Sequence, residues 1–391
     1  MLARPFWRRV SAVGIGLMIG LVLAEVVLRV AGVSYPVFDT YDYDRAVALR
    51  PGKEGWYSGE GGAYLKINSL GYRDVEHAIA KPPGVYRIAV LGDSFTEARQ
   101  VDVAEAFWKR LETSLPGRLG PSIHRVEVLN FGVGGYGITQ EYLTLKMHAL
   151  KFSPDLVILA FCPGNDLASN SKKIESQVNR GFSPYYVLRD GKLVLDNSFR
   201  DVSLDFLRRR FLMVSVHYSR LLEVVNQVRR IAAARRLQQN TNHSYEIGLF
   251  DEEFVEPRDE VWKEAWRVNE TLIAEIHREV RRAGASFVLA TLTTPIQVEP
   301  DVTERERFQR ALGVSDLFYT EHRLRELGRR LGFGVITLAE RLQAAASRDK
   351  VYFHGFPNTG FGHGHWNEQG HRAAAEILTR ELPRLVNGAV H

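Results

Sequence analysis

The chain has 391 residues, 45% of them hydrophobic, enough for one large α/β domain with appendages or two modest domains. Its 51 basic and 46 acidic residues leave a formal charge of +5, too mild to mark a disordered chain. No repeat, zinc-ribbon spacing or nucleic-acid motif accompanies that charge, so no nucleic-acid partner is expected. A single cysteine, Cys162, rules out an intrachain disulfide and with it a small disulfide-scaffolded secreted fold.

Residues 1–33 pose a separate solvent problem. Arg4, Arg8 and Arg9 precede an apolar run from Val10 to Ala24, which continues past Glu25 as Val26, Val27 and Leu28. A spanning helix needs about 20 apolar residues, and basic residues before it hold the N-terminus in the cytoplasm. The run reads as a membrane anchor or as a cleaved signal sequence, with Val22-Leu23-Ala24 at a cleavage-like position. Either reading exports the rest of the chain; the anchor, the favoured one, makes it a bacterial inner-membrane, single-pass protein with its domain in the periplasm or outside the cell.

Residues 34–84 form a juxtamembrane lead-in, with a turn at Asn68-Ser69-Leu70-Gly71-Tyr72-Arg73. The domain proper, residues 85–391, alternates short apolar runs with helical patterns. Strands are expected at Tyr86–Leu91, Val126–Phe131, Asp155–Phe161, Ser286–Leu292 and Phe333–Leu338. Helices are expected at Ala104–Leu115, Gln140–Leu150, Val261–Ala283, Arg323–Leu331 and Glu368–Leu382, the last stopped by Pro383. Such alternation means a parallel sheet with helices on both faces and a site at the carboxyl ends of the strands.

An insertion at about residues 167–257 is too long for an ordinary loop. It carries a hairpin, Tyr185-Tyr186-Val187-Leu188 and Leu193-Val194-Leu195 around Asp190-Gly191, then a helical stretch from Leu204 to Leu237. That stretch holds Arg208, Arg209, Arg210, Arg220, Arg229, Arg230, Arg235 and Arg236. These make either a solvated face or a contact for anionic headgroups or an acidic polysaccharide.

Four short pieces carry chemistry. Gly92-Asp93-Ser94 places a serine at a helix start, where free N–H groups favour developing negative charge. Asn130-Phe131-Gly132-Val133-Gly134-Gly135 lets backbone N–H groups approach a ligand. Gly164-Asn165-Asp166 offers a side-chain amide after the third strand, and His365-Trp366-Asn367 offers an imidazole before the last helix. Together they supply a nucleophile, a base and oxyanion donors, the parts of acyl transfer. Asp93 and Asp166 read as turn-holding residues and Cys162 as a small buried one. His363, His365 and His371 also have the makings of a three-nitrogen zinc site, but no acidic neighbours support it. His371 alone reads as a helix-face residue, and no metal or cofactor is assigned.

This set resembles the SGNH (GDSL-like) hydrolase superfamily over roughly Tyr86 to Leu385. The resemblance implies a flavodoxin-like three-layer sandwich. It implies Ser94 as nucleophile, His365 as general base, and an oxyanion hole from Ser94 and Gly135 N–H and the Asn165 amide. The lead-in also looks like that of membrane-tethered bacterial members linked to cell-surface polysaccharides. There is one departure: Gly362 and His363 occupy the positions where the family has the aspartate that orients the histidine. A backbone carbonyl or an acid from elsewhere takes that role, or the enzyme is slow; the residues read as a Ser-His dyad with no acid assigned. The expected activity is hydrolysis of O-acyl groups, acetyl above all, on cell-envelope carbohydrate or lipid. The alternatives are an O-acyltransferase acting on an exported polysaccharide and a non-catalytic envelope binding protein.

Overall fold

The structure is a computed structural model that describes residues 3–177, 182–240 and 250–388. Parts of the expected insertion, residues 178–181 and 241–249, lie outside the described residues. The chain divides into two compact units. One joins the residues up to Tyr41 with a segment beginning at Val202, and the other joins Asp42–Asp201 with the remainder of the chain.

The larger unit is built on five parallel strands, β1 (Val85–Gly92), β2 (Arg125–Asn130), β3 (Leu156–Phe161), β4 (Ser286–Thr291) and β5 (Gly334–Thr337). Their order is β2-β1-β3-β4-β5, every adjacent pair parallel. This is the flavodoxin-like order, with its topological switch point between β1 and β3. Alternate strand residues such as Ile88, Val90, Val128, Ile158 and Val288 share one core with Phe107, Trp108, Leu111, Leu378 and Leu382. The intervening residues, including Ala89, Leu91, Val157, Leu159 and Leu289, are buried on the other face. Burial on both faces explains why these strands read as continuous apolar runs rather than alternating ones.

The first of those faces is covered by a helix from Phe107 to Ser114 and by one from Glu368 to Gly388. The other is covered by helices Ile138–Met147 and Glu260–Arg282. In Glu260–Arg282, Asp259 caps the first turn by accepting from Trp262 N–H at 2.9 Å. Trp262, Trp266, Ile273, Ile276 and Val280 then recur on the buried face, and Arg281 and Arg282 complement the dipole at the end.

Two expectations are corrected. Pro383 does not stop the last helix, which runs on to Gly388. The missing N–H of a proline costs one bond, and Leu385 and Val386 hold the following turn by packing on the core. The helical stretch Leu204–Leu237 is two helices, Leu204–Ser215 and Arg220–Asn240, parted by a short turn. Ser219 breaks it by accepting from Leu222 N–H and so capping the second helix. The expected hairpin is present as Tyr185–Arg189 and Lys192–Asp196, with Asp190 and Gly191 both at positive φ as a type I′ turn requires.

Candidate active site

β1 delivers Ser94 to the switch point. The chain leaves the strand at Gly92, and Asp93 caps the short helix Ser94–Glu97 by accepting from Phe95 N–H at 3.0 Å. The loop after β2 lies alongside. Gly134 N–H donates to the Glu97 carboxylate at 2.7 Å, which also pairs with Arg99. Gly135 follows at φ 79°, a conformation that glycine alone adopts at little cost, and it is exposed to solvent beside the serine loop. After β3, helix Pro163–Ser169 presents Asn165. One hydrogen of its amide is held by Asp93 at 2.7 Å, and an NH₂ group keeps a second one to offer.

His365 arrives on the last strand of a hairpin formed by His354–Phe356 and Gly360–Trp366. Its Nε2 lies 2.8 Å from Ser94 Oγ. The far side of the ring carries the residue that the sequence left unassigned. Glu60 Oε2 is 2.5 Å from His365 Nδ1, and Glu60 Oε1 accepts the His365 backbone N–H at 2.7 Å. A carboxylate acceptor puts the proton on Nδ1, which leaves Nε2 free to accept from the serine hydroxyl. Burial pushes the Glu60 carboxyl up, but the hydrogen bonds and charge of His365 outweigh it and hold Glu60 below the ordinary carboxylate range.

Glu60 sits in the loop of a second hairpin, Glu54–Tyr57 with Ala63–Lys66, inside the lead-in. Asn358 clamps that loop to the histidine hairpin: its side chain accepts Gly61 N–H at 3.0 Å and donates to Gly61 O at 2.9 Å. Gly364 makes room for the acid, since a Cβ there would stand 2.0 Å from Glu60 Oε1. The lead-in motif is packed as well. The buried Arg73 guanidinium donates to Ala98 O and Val101 O, closing the turn after the serine helix, and Asp74 accepts Asn130 N–H at the end of β2.

The three histidines of the zinc reading do not converge. His363 is exposed, while buried His371 stacks on Phe107 and accepts its backbone N–H at 3.3 Å. Among the described residues no group of three or more His, Cys, Asp or Glu is arranged to hold a metal. Cys162 is buried, and burial pushes its thiol well above the usual range. Asp166 accepts Cys162 N–H at 2.6 Å, closing the turn into its helix.

Residues 90–373 match the GDSL-like Lipase/Acylhydrolase family. The chain belongs to that family. As a GDSL-like acylhydrolase it is a hydrolase of ester bonds. No curated protein sequence matches it. Among solved structures it is similar to the acetyl xylan esterase AlAXEase, at 13% identity and TM-score 0.38, over 76% of this chain and 99% of that one. A variant of an acetylxylan esterase from Geobacillus stearothermophilus aligns at 10% identity and TM-score 0.38, over 76% and 94%. A two-domain esterase active on acetylated mannans aligns at 11% identity and TM-score 0.37, over 78% of this chain and 50% of that one.

Two buried imidazoles behind the site disfavour acid. His354 donates from Nδ1 to Gly364 O at 2.7 Å and meets Thr293 Oγ1 through Nε2 at 2.8 Å, which supports the turn before His365. Burial lowers His354 from 6.5 to about 4 and His371 to about 3. Between those values the unfolded chain binds protons that the folded one refuses, so stability rises with pH. The contribution is complete above the unfolded value of 6.5 and is lost as pH falls toward 4 and 3. For such shifts it amounts to on the order of 3 kcal/mol for His354 and about 5 kcal/mol for His371. Buried carboxyls such as Glu321, pushed up to about 8 by burial, pull the other way, so the histidine share is read in calorimetry as the difference in how melting temperature falls with acid between the native chain and a variant. His371→Gln, which keeps an acceptor for Phe107 N–H, should flatten the drop; an unchanged slope would remove His371 from the account.

Proposed function

We propose that this acylhydrolase is a serine esterase in which Ser94, His365 and Glu60 act as nucleophile, general base and orienting acid. The observation that carries the reading is the continuous hydrogen-bonded row from Ser94 Oγ through both ring nitrogens to the Glu60 carboxylate. Ser94 attacks the ester carbonyl while its proton passes to His365 Nε2. The imidazolium, stabilised by Glu60, returns that proton to the leaving alcohol. Water then enters by the same base and releases the acid. The Gly135 and Ser94 backbone N–H groups and the second Asn165 amide hydrogen serve the oxyanion. The structural rationale for a non-catalytic binding protein, a missing acid, is met by Glu60.

The substrate in this reading is an O-acyl, above all O-acetyl, ester of cell-envelope carbohydrate or lipid. The helix Ala3–Val30 supports the envelope setting: residues Trp7–Val30 form an apolar span long enough to cross a bilayer, with basic residues at its start. In this reading it is a single-pass anchor, with the catalytic unit outside the cytoplasm.

A serine-directed phosphonate should label the purified full-length chain in detergent once, on the peptide containing Ser94. Labelling elsewhere, or none beside measurable turnover of a small acetyl ester, would sink the assignment. Product analysis with a glycan acceptor separates transfer from hydrolysis, since only the second acceptor differs. Asn165→Ala should lower kcat about 100- to 1000-fold with KM little changed, as loss of one oxyanion donor does. A rise in KM at constant kcat would instead make Asn165 a substrate-binding residue.

A further inference from the structure

In the smaller unit, the apolar helix α1 (Ala3–Val30) is tied to the corner between helices α2 (Leu204–Ser215) and α3 (Arg220–Asn240). Glu25, the one carboxylate in the apolar span, accepts the backbone N–H groups of Arg220 and Leu221 at 3.0 Å each and the Ser219 hydroxyl at 2.9 Å. It thus caps the N-terminus of α3, where a negative charge is favoured. Arg29, one turn on, donates to Tyr218 O at 3.0 Å, and Ser34 and Tyr35 hold Glu223 in the first turn of α3. The corner therefore sits level with the last turns of the span. Glu25 lies five residues before its end, about 8 Å along the axis.

Helix α2 leaves that corner with two unlike faces. Phe206 and Arg210 pack on Tyr41. Leu204, Leu207, Phe211 and Val214, three or four residues apart, form another face that is exposed, Leu204 by 88% and Phe211 by 67%, and Tyr218 extends it into the corner. Val225, Val228 and Ile231 are likewise exposed on α3. Of the arginines on these helices, Arg209 and Arg220 pair with Asp205 and Glu223, while Arg208, Arg229 and Arg230 are exposed. An apolar stripe beside basic residues, beginning at the end of a spanning helix, has the composition of a helix lying in a membrane interface.

We propose that the α2 stripe is a second membrane contact, seated in the outer boundary of the same bilayer that α1 crosses. The contact rests on the anchor reading of α1, and its occupant is lipid because the stripe is continuous with the span through Glu25 and Arg29. It fixes the orientation of the smaller unit, which a single spanning helix alone leaves free to rotate.

The experiment uses the full-length chain in phosphatidylcholine vesicles, with an environment-sensitive thiol dye placed by Phe211→Cys, Leu17→Cys or, as a control in the larger unit, Val302→Cys. Native Cys162 is buried and takes no dye. Nitroxide lipids with shallow or deep labels then read depth. The Phe211→Cys dye should be blue-shifted and lose most of its fluorescence to the shallow label, still at about 0.5 M salt, where charge attraction is screened. The Leu17→Cys dye should respond to the deep label and the Val302→Cys dye to neither. A Phe211→Cys dye untouched by lipid quenchers beside a quenched Leu17→Cys dye overturns the proposal and leaves the anchor standing. If that dye is nevertheless shielded from water, protein covers the stripe. Quenching that disappears at high salt also overturns it, because the arginines alone would then hold the contact. Silence at both positions overturns the stripe and the anchor together.

Discussion

Replacing Glu60 with glutamine is expected to lower turnover about ten-thousandfold, the scale seen when the acid of a Ser-His-Asp site becomes an amide, with KM little changed. Both Glu60 oxygens accept, one from His365 Nδ1 and one from the His365 backbone N–H. An amide has one acceptor oxygen, and its other end is an NH₂ group that only donates. The backbone N–H can only donate, so the amide oxygen must turn toward it, and the amide NH₂ then faces Nδ1. The ring answers by moving its proton to Nε2, where it points at Ser94 and abolishes the acceptor that the hydroxyl needs. The variant should therefore fold normally and bind substrate while its imidazole sits in the wrong tautomer, which nitrogen chemical shifts of His365 report directly. Gly364→Ala should reach the same end from the other side, because its Cβ would occupy the place of Glu60 Oε1. Full turnover in the Glu60→Gln protein, or a loss confined to KM, would show that the acid does not orient the base.

The parts of this site differ in how far they can be read from residues alone. The five strands were legible because burial on both faces writes them as unbroken apolar runs. Ser94, Asn165 and the Gly134-Gly135 turn follow three of those strands directly, so the sheet order alone brings them to one switch point. Glu60 had no such mark. It lies in a hairpin loop of a segment read as a lead-in, among glycines, and meets a histidine 305 residues later. The only hint was indirect: glycine at positions 362 and 364, where the first leaves the usual acid absent and the second leaves room for one from outside. The same glycines defeat the zinc reading. Residues i and i+2 of a regular strand share a face, but Gly362 and Gly364 at φ 80° and 67° turn the chain, and His363 points to solvent while His365 turns inward. The cap that Glu25 gives to a helix some 195 residues away was equally hidden, since an isolated carboxylate in an apolar run carries no sign of its partner.

Ser94→Ala and His365→Ala should each reduce turnover of a small acetyl ester by nearly as much as the two changes together, on the order of a millionfold. The reason is that neither group acts alone. Without the imidazole, 2.8 Å from Oγ, the Ser94 proton has no acceptor when the hydroxyl attacks. Without the hydroxyl, the imidazole has no nucleophile to activate and works at best on water that the site does not position. Independent contributions would multiply, so the double variant measures whether the residues form one catalytic unit. The activity remaining in all three proteins should be alike, because it comes from the oxyanion donors and substrate binding, which none of the changes touches. His363→Ala is the control: the side chain is exposed, two residues from the base, and its loss should have a mild effect. A deep loss there, with loss of a bound metal, would restore the zinc reading. Full turnover in purified Ser94→Ala protein would end the reading of Ser94 as the nucleophile.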